Sequence, residues 1–204
     1  MTIHDELGVI GQVESARLRE LLGRYLPEPP AKVADIGGGP WIHAQALRAD
    51  GYDVRPLDPV ACRTRDEEFD AAFLPGLIPL LPDPADRRTA LREAVRVTKY
   101  GGFVAAVAIN RTATWSARAT CHTVAGLRSE LTGAGLRAVM IHGLTGPGGW
   151  LTEVIDSHYG GLPLPDSQSE PDPLQTALEC ARLADSRPDL VQASSLLFGI
   201  GQRD

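Results

Sequence analysis

The sequence predicts a single-domain α/β protein built on a doubly wound, mostly parallel sheet. Three observations predict it. Short apolar runs alternate along the chain with segments of helical spacing, the pattern of strands joined by covering helices. A cluster of glycines follows directly on the first run. The run FVAAVAI at 103–109 is almost continuously apolar, as a parallel strand covered on both faces should be. A length of 204 residues suits one domain with a sizeable core.

Taken in order, ESARLRELLGRYL at 14–26 has the apolar spacing of a helix, and the prolines at 27, 29 and 30 end it. KVADI at 32–36 reads as a strand running into Gly37, Gly38 and Gly39. A helix over 42–50 closes at Gly51, and a second strand over 52–57 ends at Asp58 and Pro59. FDAAFL at 69–74 is a third strand. Asp83 starts a helix reaching Lys99, with Pro84 where a missing N–H costs little, and Tyr100-Gly101-Gly102 stops it before the strand at 103–109. A helix over 124–134, a strand over 136–141, a helix over 174–184 and a strand over 194–200 complete the pattern. The Pro-, Ser- and Asp-rich stretch 162–173 reads as a surface loop, and no internal repeat is visible.

Composition narrows the function. A net charge of −6, with arginines scattered among acids, argues against nucleic acid as a partner. The N-terminus lacks a basic region followed by an apolar core, and no uncharged apolar stretch approaches the ~20 residues of a membrane span. Cys62, Cys121 and Cys180 are odd in number and show no CxxC spacing, so they read as free thiols of a cytoplasmic protein. Neither paired carboxylates nor metal-ligand spacing, a P-loop or a Gly-x-Ser-x-Gly elbow occurs.

The strongest motif is Val33-Ala34-Asp35-Ile36-Gly37-Gly38-Gly39-Pro40. Glycines between strand and helix let the backbone turn tightly and approach a ligand, and N–H groups at a helix start face it. The stretch differs from the dinucleotide pattern GxGxxG, whose third glycine position holds Ile42. Asp58 follows Gly39 by nineteen residues, at the end of the second strand. A carboxylate there can accept hydrogen bonds from ribose hydroxyls; alone, Asp58-Pro59 also reads as a turn.

On these residues a resemblance becomes specific. DIGGGPWIHAQALRADGYDVRPLDPV resembles the first two motifs of the class I S-adenosylmethionine-dependent methyltransferases, in particular a bacterial small-molecule branch. FDAAFLPGLIPLLPDPADRRTALREAVRVTKYGGFVAAVAI resembles the family's fourth strand, next helix and fifth strand, and the likeness extends through LRSELTGAGL and TGPGGWL. It implies a Rossmann-like methyltransferase sheet and S-adenosyl-L-methionine as cofactor. Asp35, Gly37, Gly38 and Gly39 would lie near its amino-acid end and Asp58, with Pro59, at its ribose; Trp41 and Leu74 are further candidate contacts. The implied activity is methyl transfer to a small molecule, in bacterial secondary metabolism. The alternative is a protein of this fold that no longer transfers methyl groups, either a cyclase- or isomerase-type enzyme or a non-catalytic partner protein.

Departures from the family are equally specific. Ten residues separate Asp58 from Phe69, where the family places a helix, a strand and another helix; a helical crossover alone takes at least ~10–12. The usual third strand is therefore expected to be missing. Ten extended residues reach roughly 33 Å, enough to return directly across on the order of 20 Å. That puts the second strand at the sheet edge, where Pro56 is tolerated. The family's adenine-contacting acid follows the missing strand, so it has no counterpart beyond Asp66, Glu67 or Glu68, which read as solvated charges. Trp41 stands at the family's third glycine. Leu77-Ile78-Pro79-Leu80-Leu81 replaces polar residues beside the cofactor, and 110–122 is a shortened substrate cover.

For the chemistry, His43, His122, His142 and His158 are the neutral-pH base candidates, each with a structural role as its plain alternative. His122 is favoured as catalytic because its segment follows the fifth family strand, at the sheet end where such folds gather ligands. Asn110, at the tip of that strand, is the second catalytic candidate. Trp115 and Trp150 could wall the substrate pocket or cap the core. The expected partner is a small-molecule substrate, with no nucleic acid and no membrane. The exposed sheet edge leaves room for another chain, a homodimer among the arrangements.

Overall fold

The computed structural model describes residues 9–38, 41–59, 64–112, 120–147 and 173–204. Chain order is α1 (Val9–Leu22), β1 (Lys32–Ile36), α2 (Trp41–Ala49), β2 (Asp53–Leu57), β3 (Phe69–Leu74), a 3-10 turn (Ile78–Leu80), α3 (Pro84–Val97) and β4 (Thr98–Asn110). It continues with β5 (Cys121–His122), α4 (Val124–Gly133), β6 (Leu136–Gly143), α5 (Pro173–Ser186), a 3-10 turn (Pro188–Ala193) and β7 (Leu196–Arg203). The expected loop at 162–173, apart from Pro173 itself, lies outside the described residues, as do Trp115, Trp150 and Cys62.

One seven-stranded sheet runs β2-β1-β3-β4-β7-β6, with β5 paired to β4. The pairs β2–β1, β1–β3, β3–β4 and β4–β5 are parallel; β7 is antiparallel to both β4 and β6. Among the described residues no strand intervenes between β2 and β3, and β2 is the sheet edge. Asp53 and Arg55 are exposed there, and Arg55 pairs with Asp53 and Glu68 at 3.0 and 3.1 Å. Charges and Pro56 blunt an edge that would otherwise offer its backbone to another strand.

Alternation along the strands builds two cores. Ala34 and Ile36 of β1, Ala72 and Leu74 of β3, and Val104, Ala106 and Ala108 of β4 face Leu91, Ala94, Leu127 and Leu131 of α3 and α4. Val33, Phe73, Ala105 and Val107 point the other way, onto Leu18, Leu21 and Leu22 of α1 and Ala44 and Leu47 of α2. The period-two reversal of side chains makes both faces apolar, and helices on both faces remove them from water.

Local signals fix the helix starts. The Asp83 side chain accepts the Ala85 N–H at 2.7 Å ahead of Pro84, and the Thr123 hydroxyl accepts the Gly126 N–H at 3.0 Å. Each satisfies one of the donors a helix start leaves bare. On the α1 side, Arg17 is fully buried between Glu20 and Asp185, at 2.6 and 2.9 Å, and ties α1 to α5.

Candidate functional site

The tips of β1 and β2 meet through one backbone bond. In the parallel register Ile36 lies beside Leu57, and the Gly37 N–H donates to the Leu57 carbonyl at 3.0 Å. Asp58 is the next residue and is exposed. The glycine turn and the carboxylate therefore stand side by side at one sheet end. Pro59, half-buried, follows Asp58, whereas Asp35 is buried within β1. Gly39 and Pro40 lie outside the described residues; Trp41 opens α2.

Gly37 and Gly38 have φ of +85° and +53°, backbone that L side chains avoid. Their surroundings differ. A Cβ at Gly37 would come within 3.0 Å of the Leu77 side chain, while one at Gly38 would meet nothing within 4 Å. One face of the turn is thus closed by Leu77 and the other is open. An open glycine face beside an exposed carboxylate fits the amino-acid end and ribose of S-adenosylmethionine, and Gly37, Gly38 and Asp58 are the residues able to hold them.

Other residues fall elsewhere. Leu74 is fully buried in the α3–α4 core and has no surface for a ligand, which corrects its place among the cofactor contacts. It ends β3 with its side chain beneath the sheet tip; Leu77 occupies the position over the turn. The three acids that could replace the adenine contact are held by arginines: Asp66 by Arg96, Glu67 by Arg203 at 3.2 Å and Glu68 by Arg55.

Asn110 is fully buried, and its amide is spent. Its two N–H groups donate to the Ser194 and Gln192 carbonyls at 2.7 and 3.0 Å. Its oxygen accepts from the Thr112 N–H and hydroxyl at 3.2 and 2.9 Å. This is the full capacity of a carboxamide. Asn110 is a strut joining β4 to the 188–193 turn, in place of the catalytic role the sequence assigned.

His122 differs. Ile109 pairs with Leu196 of β7 on one side and with Cys121 on the other, so β5 lies on the β3 side of β4. β3 stops where Leu74 meets Ala106. β5 therefore takes up the lateral position that β3 has vacated, and His122 sits above the tip of β3, one strand from the glycine turn. Strand rise and spacing put its backbone on the order of 10 Å from that of Gly38. The ring is 5% exposed. Nε2 lies 3.3 Å from a Glu130 carboxylate oxygen, and Nδ1 is buried with no hydrogen-bond partner among the described residues. Burial lowers the His122 pKa, against an upward pull from Glu130.

The two other described histidines have local partners. His43 is buried edge-on to Phe73 and 3.7 Å from Glu14. His142 shares a 2.7 Å hydrogen bond with the Tyr25 hydroxyl, and His158 lies outside the described residues. An open groove of about 760 Å³ runs along α4 past Thr123, Arg128 and Gln192. None of its described lining residues comes from the tips of β1 or β2, so size alone does not mark it as the nucleotide site. Among the described residues no cluster of His, Cys, Asp or Glu could hold a metal ion, and no helix is long and apolar enough to cross a membrane.

No protein-family model and no curated protein matches the chain. Solved structures do. A S-adenosylmethionine-dependent methyltransferase of Archaeoglobus fulgidus is similar with a TM-score of 0.61 at 15% identity, over 94% of this chain and 94% of that one. One of Thermotoga maritima, described as a possible histamine N-methyltransferase, gives 0.58 at 16%, over 96% and 92%. The [4+2]-cyclase SpnF gives 0.53 at 14%, over 92% and 80%. The chain has the fold of the class I S-adenosylmethionine-dependent methyltransferases. Within that fold it is a divergent form, and among the described residues no strand or helix lies between β2 and β3.

Proposed function

We propose that the protein binds S-adenosylmethionine across Gly38 and Asp58 and transfers its methyl group to a small molecule. The observation that carries this reading is the pairing of an open glycine face with an exposed carboxylate at adjacent strand tips, joined through the Gly37–Leu57 bond. In this reading Asp35, Gly37, Gly38 and Gly39 form the turn around the amino-acid end, Asp58 and Pro59 border the ribose, and Trp41 contributes from the start of α2. The cofactor supplies a methyl carbon bonded to cationic sulfur, and transfer breaks that bond with its electron pair left on sulfur. The chain's part is to hold that group in line with the acceptor. The test is calorimetry with S-adenosylhomocysteine: saturable binding, weakened at least about tenfold in Asp58→Ala, is expected. Absence of binding at millimolar ligand would overturn the reading.

Leu77 supports a second reading, in which the fold serves another reaction, such as a cyclisation or isomerisation. It seals one face of the turn with hydrocarbon, and Leu80, three residues on, is 74% exposed. A cyclase shares the fold. Turnover of the native substrate that continues without S-adenosylmethionine would favour this reading over methyl transfer.

A further inference from the structure

We propose that the site at the tips of β1 and β2 holds its ligand by the ribose and the amino-acid end and leaves the 6-position of the purine unread, so that 6-amino and 6-oxo purine nucleosyl thioethers are ligands alike. The proposal rests on the reading of Gly38 and Asp58 as a S-adenosylmethionine site, and names the ligand class of that same site.

Adenine presents a donor at its 6-amino group and an acceptor at N1. Hypoxanthine, with a 6-oxo group and a proton on N1, presents the reverse. A protein tells them apart by hydrogen bonds to that edge of the base, and a site built around one set rejects the other by orders of magnitude. To hold the 6-amino group, a chain must aim an acceptor at it.

The segments that follow the tips of β1, β2 and β3 supply none from a side chain. Residues 37–42 are Gly-Gly-Gly-Pro-Trp-Ile, 59–63 are Pro-Val-Ala-Cys-Arg, and 75–82 are Pro-Gly-Leu-Ile-Pro-Leu-Leu-Pro. They hold no carboxylate, carboxamide or hydroxyl; Trp41 and Arg63 only donate, and the Cys62 sulfur is a weak acceptor. The wall over the glycine turn has also engaged its backbone. The Leu77 and Ile78 carbonyls accept the Leu80 and Leu81 N–H groups at 3.0 and 3.3 Å, and the Pro79 carbonyl accepts the Thr120 N–H at 3.0 Å. The Leu81 carbonyl takes the Thr120 hydroxyl at 3.3 Å and Arg87 Nη1 at 2.8 Å, and the Pro82 carbonyl takes the same nitrogen at 3.0 Å. Arg87 grips Glu130 with its other two nitrogens at 2.8–3.1 Å, which fixes this end of the wall. Toward Gly37 the wall presents the hydrocarbon of Leu77. His122, above the tip of β3, is buried with its ring against Glu130.

Four acids lie between β2 and β3, and three of them stand at the opposite end of the sheet. Arg96, in the last turn of α3 just before β4 begins, pairs with Asp66 and donates to the Thr64 carbonyl at 3.0 Å. Its own carbonyl accepts the Glu67 N–H at 3.1 Å. Arg203, which holds Glu67, closes β7 on that side, where Gln202 lies opposite Phe103. Glu68 directly precedes β3, whose first residue, Phe69, lies beside Thr98 at the start of β4. Six residues of strand rise, about 20 Å, separate Glu68 from the tip at Leu74, and no glutamate side chain spans that. Asp58 is the one carboxylate of the four at the nucleoside end.

The test is calorimetry on the intact chain with three ligands: S-adenosylhomocysteine, S-inosylhomocysteine and S-(2′-deoxyadenosyl)homocysteine. The first two should bind within about fivefold of each other, and the third at least about tenfold more weakly. Asp66→Asn, Glu67→Gln and Glu68→Gln, made singly, should keep this pattern, and Asp58→Ala should weaken the first two ligands alike. Should a variant fail to fold, the three ligands on the wild type decide alone. A preference above about fivefold for either base overturns the proposal, as does a 2′-deoxy ligand bound as tightly as its parent. Failure of the two readings is told apart on the same samples. A site that takes S-adenosylhomocysteine and rejects its inosine analogue removes this proposal alone, whereas no saturable binding of any of the three removes the S-adenosylmethionine reading on which it rests.

Discussion

At the residue scale, Gly37 and Gly38 separate folding from binding. Both have positive φ, so alanine at either costs about 1–2 kcal/mol of backbone strain. At Gly37 the added Cβ also meets Leu77 at 3.0 Å, while at Gly38 it enters open space. Gly38→Ala should therefore remain folded and weaken S-adenosylhomocysteine binding at least about tenfold, or about 1.4 kcal/mol. Gly37→Ala should lose more thermal stability. Equal effects of the two on melting and on calorimetry would contradict the assignment of an open and a closed face. Asn110→Ala strips the Ser194 carbonyl of its amide donor in a buried place and removes one of the two donors to the Gln192 carbonyl, which keeps the Thr112 hydroxyl. We expect a loss of roughly 1–3 kcal/mol in urea denaturation. The turn and Asp58 were legible in sequence because their spacing is local. The Arg87–Glu130 grip was not, since 43 positions separate its partners and neither lies in a motif.

At the element scale, β1 and β3 match their sequence bounds because apolar run and strand coincide. Two other elements show why the rest was harder. Thr98 and Lys99 read as the end of a helix and Tyr100 as the start of its glycine stop, yet all three open β4. The register slips between Phe69 and Ala71, and Gly101, at φ +75°, bends the strand instead of ending it. Likewise α1 ends at Leu22, although apolar spacing runs on to Leu26. Tyr25 and Leu26 pack against the α1–α2 core from a turn, so their pattern records burial and not helix. Close element contacts also predict sensitivity. A Cβ at Gly146, whose φ is +69°, would stand 2.4 Å from the Ala181 Cα of α5. Gly146→Ala must push the helix off the end of β6, and a destabilisation of about 3 kcal/mol is expected by chemical denaturation. A variant as stable as the wild type would show that α5 does not dock there.

At the scale of the whole molecule, buried titratable groups set how stability follows pH. Burial lowers the pKa of both His122 and His142 below the ordinary 6.5. Below that value the unfolded chain takes up protons that the folded one resists, so stability falls as pH drops from about 6.5 through the lowered folded values. A second loss comes lower. For Glu130 and Asp185 burial pushes the pKa up, but arginine hydrogen bonds, with His122 also acting on Glu130, bring it below the usual carboxylate range. Their contribution is present above the unfolded values of 4.5 and 3.8 and disappears as pH falls through the folded ones. Melting curves should thus decline in two stages, the first reduced in His122→Gln. A melting temperature that is flat from about pH 7 to pH 5 would contradict the buried, neutral state of these rings.

The same scale holds the functional claim. Among the described residues β2 is the sheet edge, and the tips of β1 and β2 bring Gly38 and Asp58 together. Calorimetric titration of the intact chain with S-adenosylhomocysteine tests this most directly, with Asp58→Ala and Gly38→Ala titrated alongside. One-to-one saturable binding that both substitutions weaken is expected. Titrations that give no heat at millimolar ligand, or that the two substitutions leave unaltered, would contradict a nucleoside site at the tips of β1 and β2.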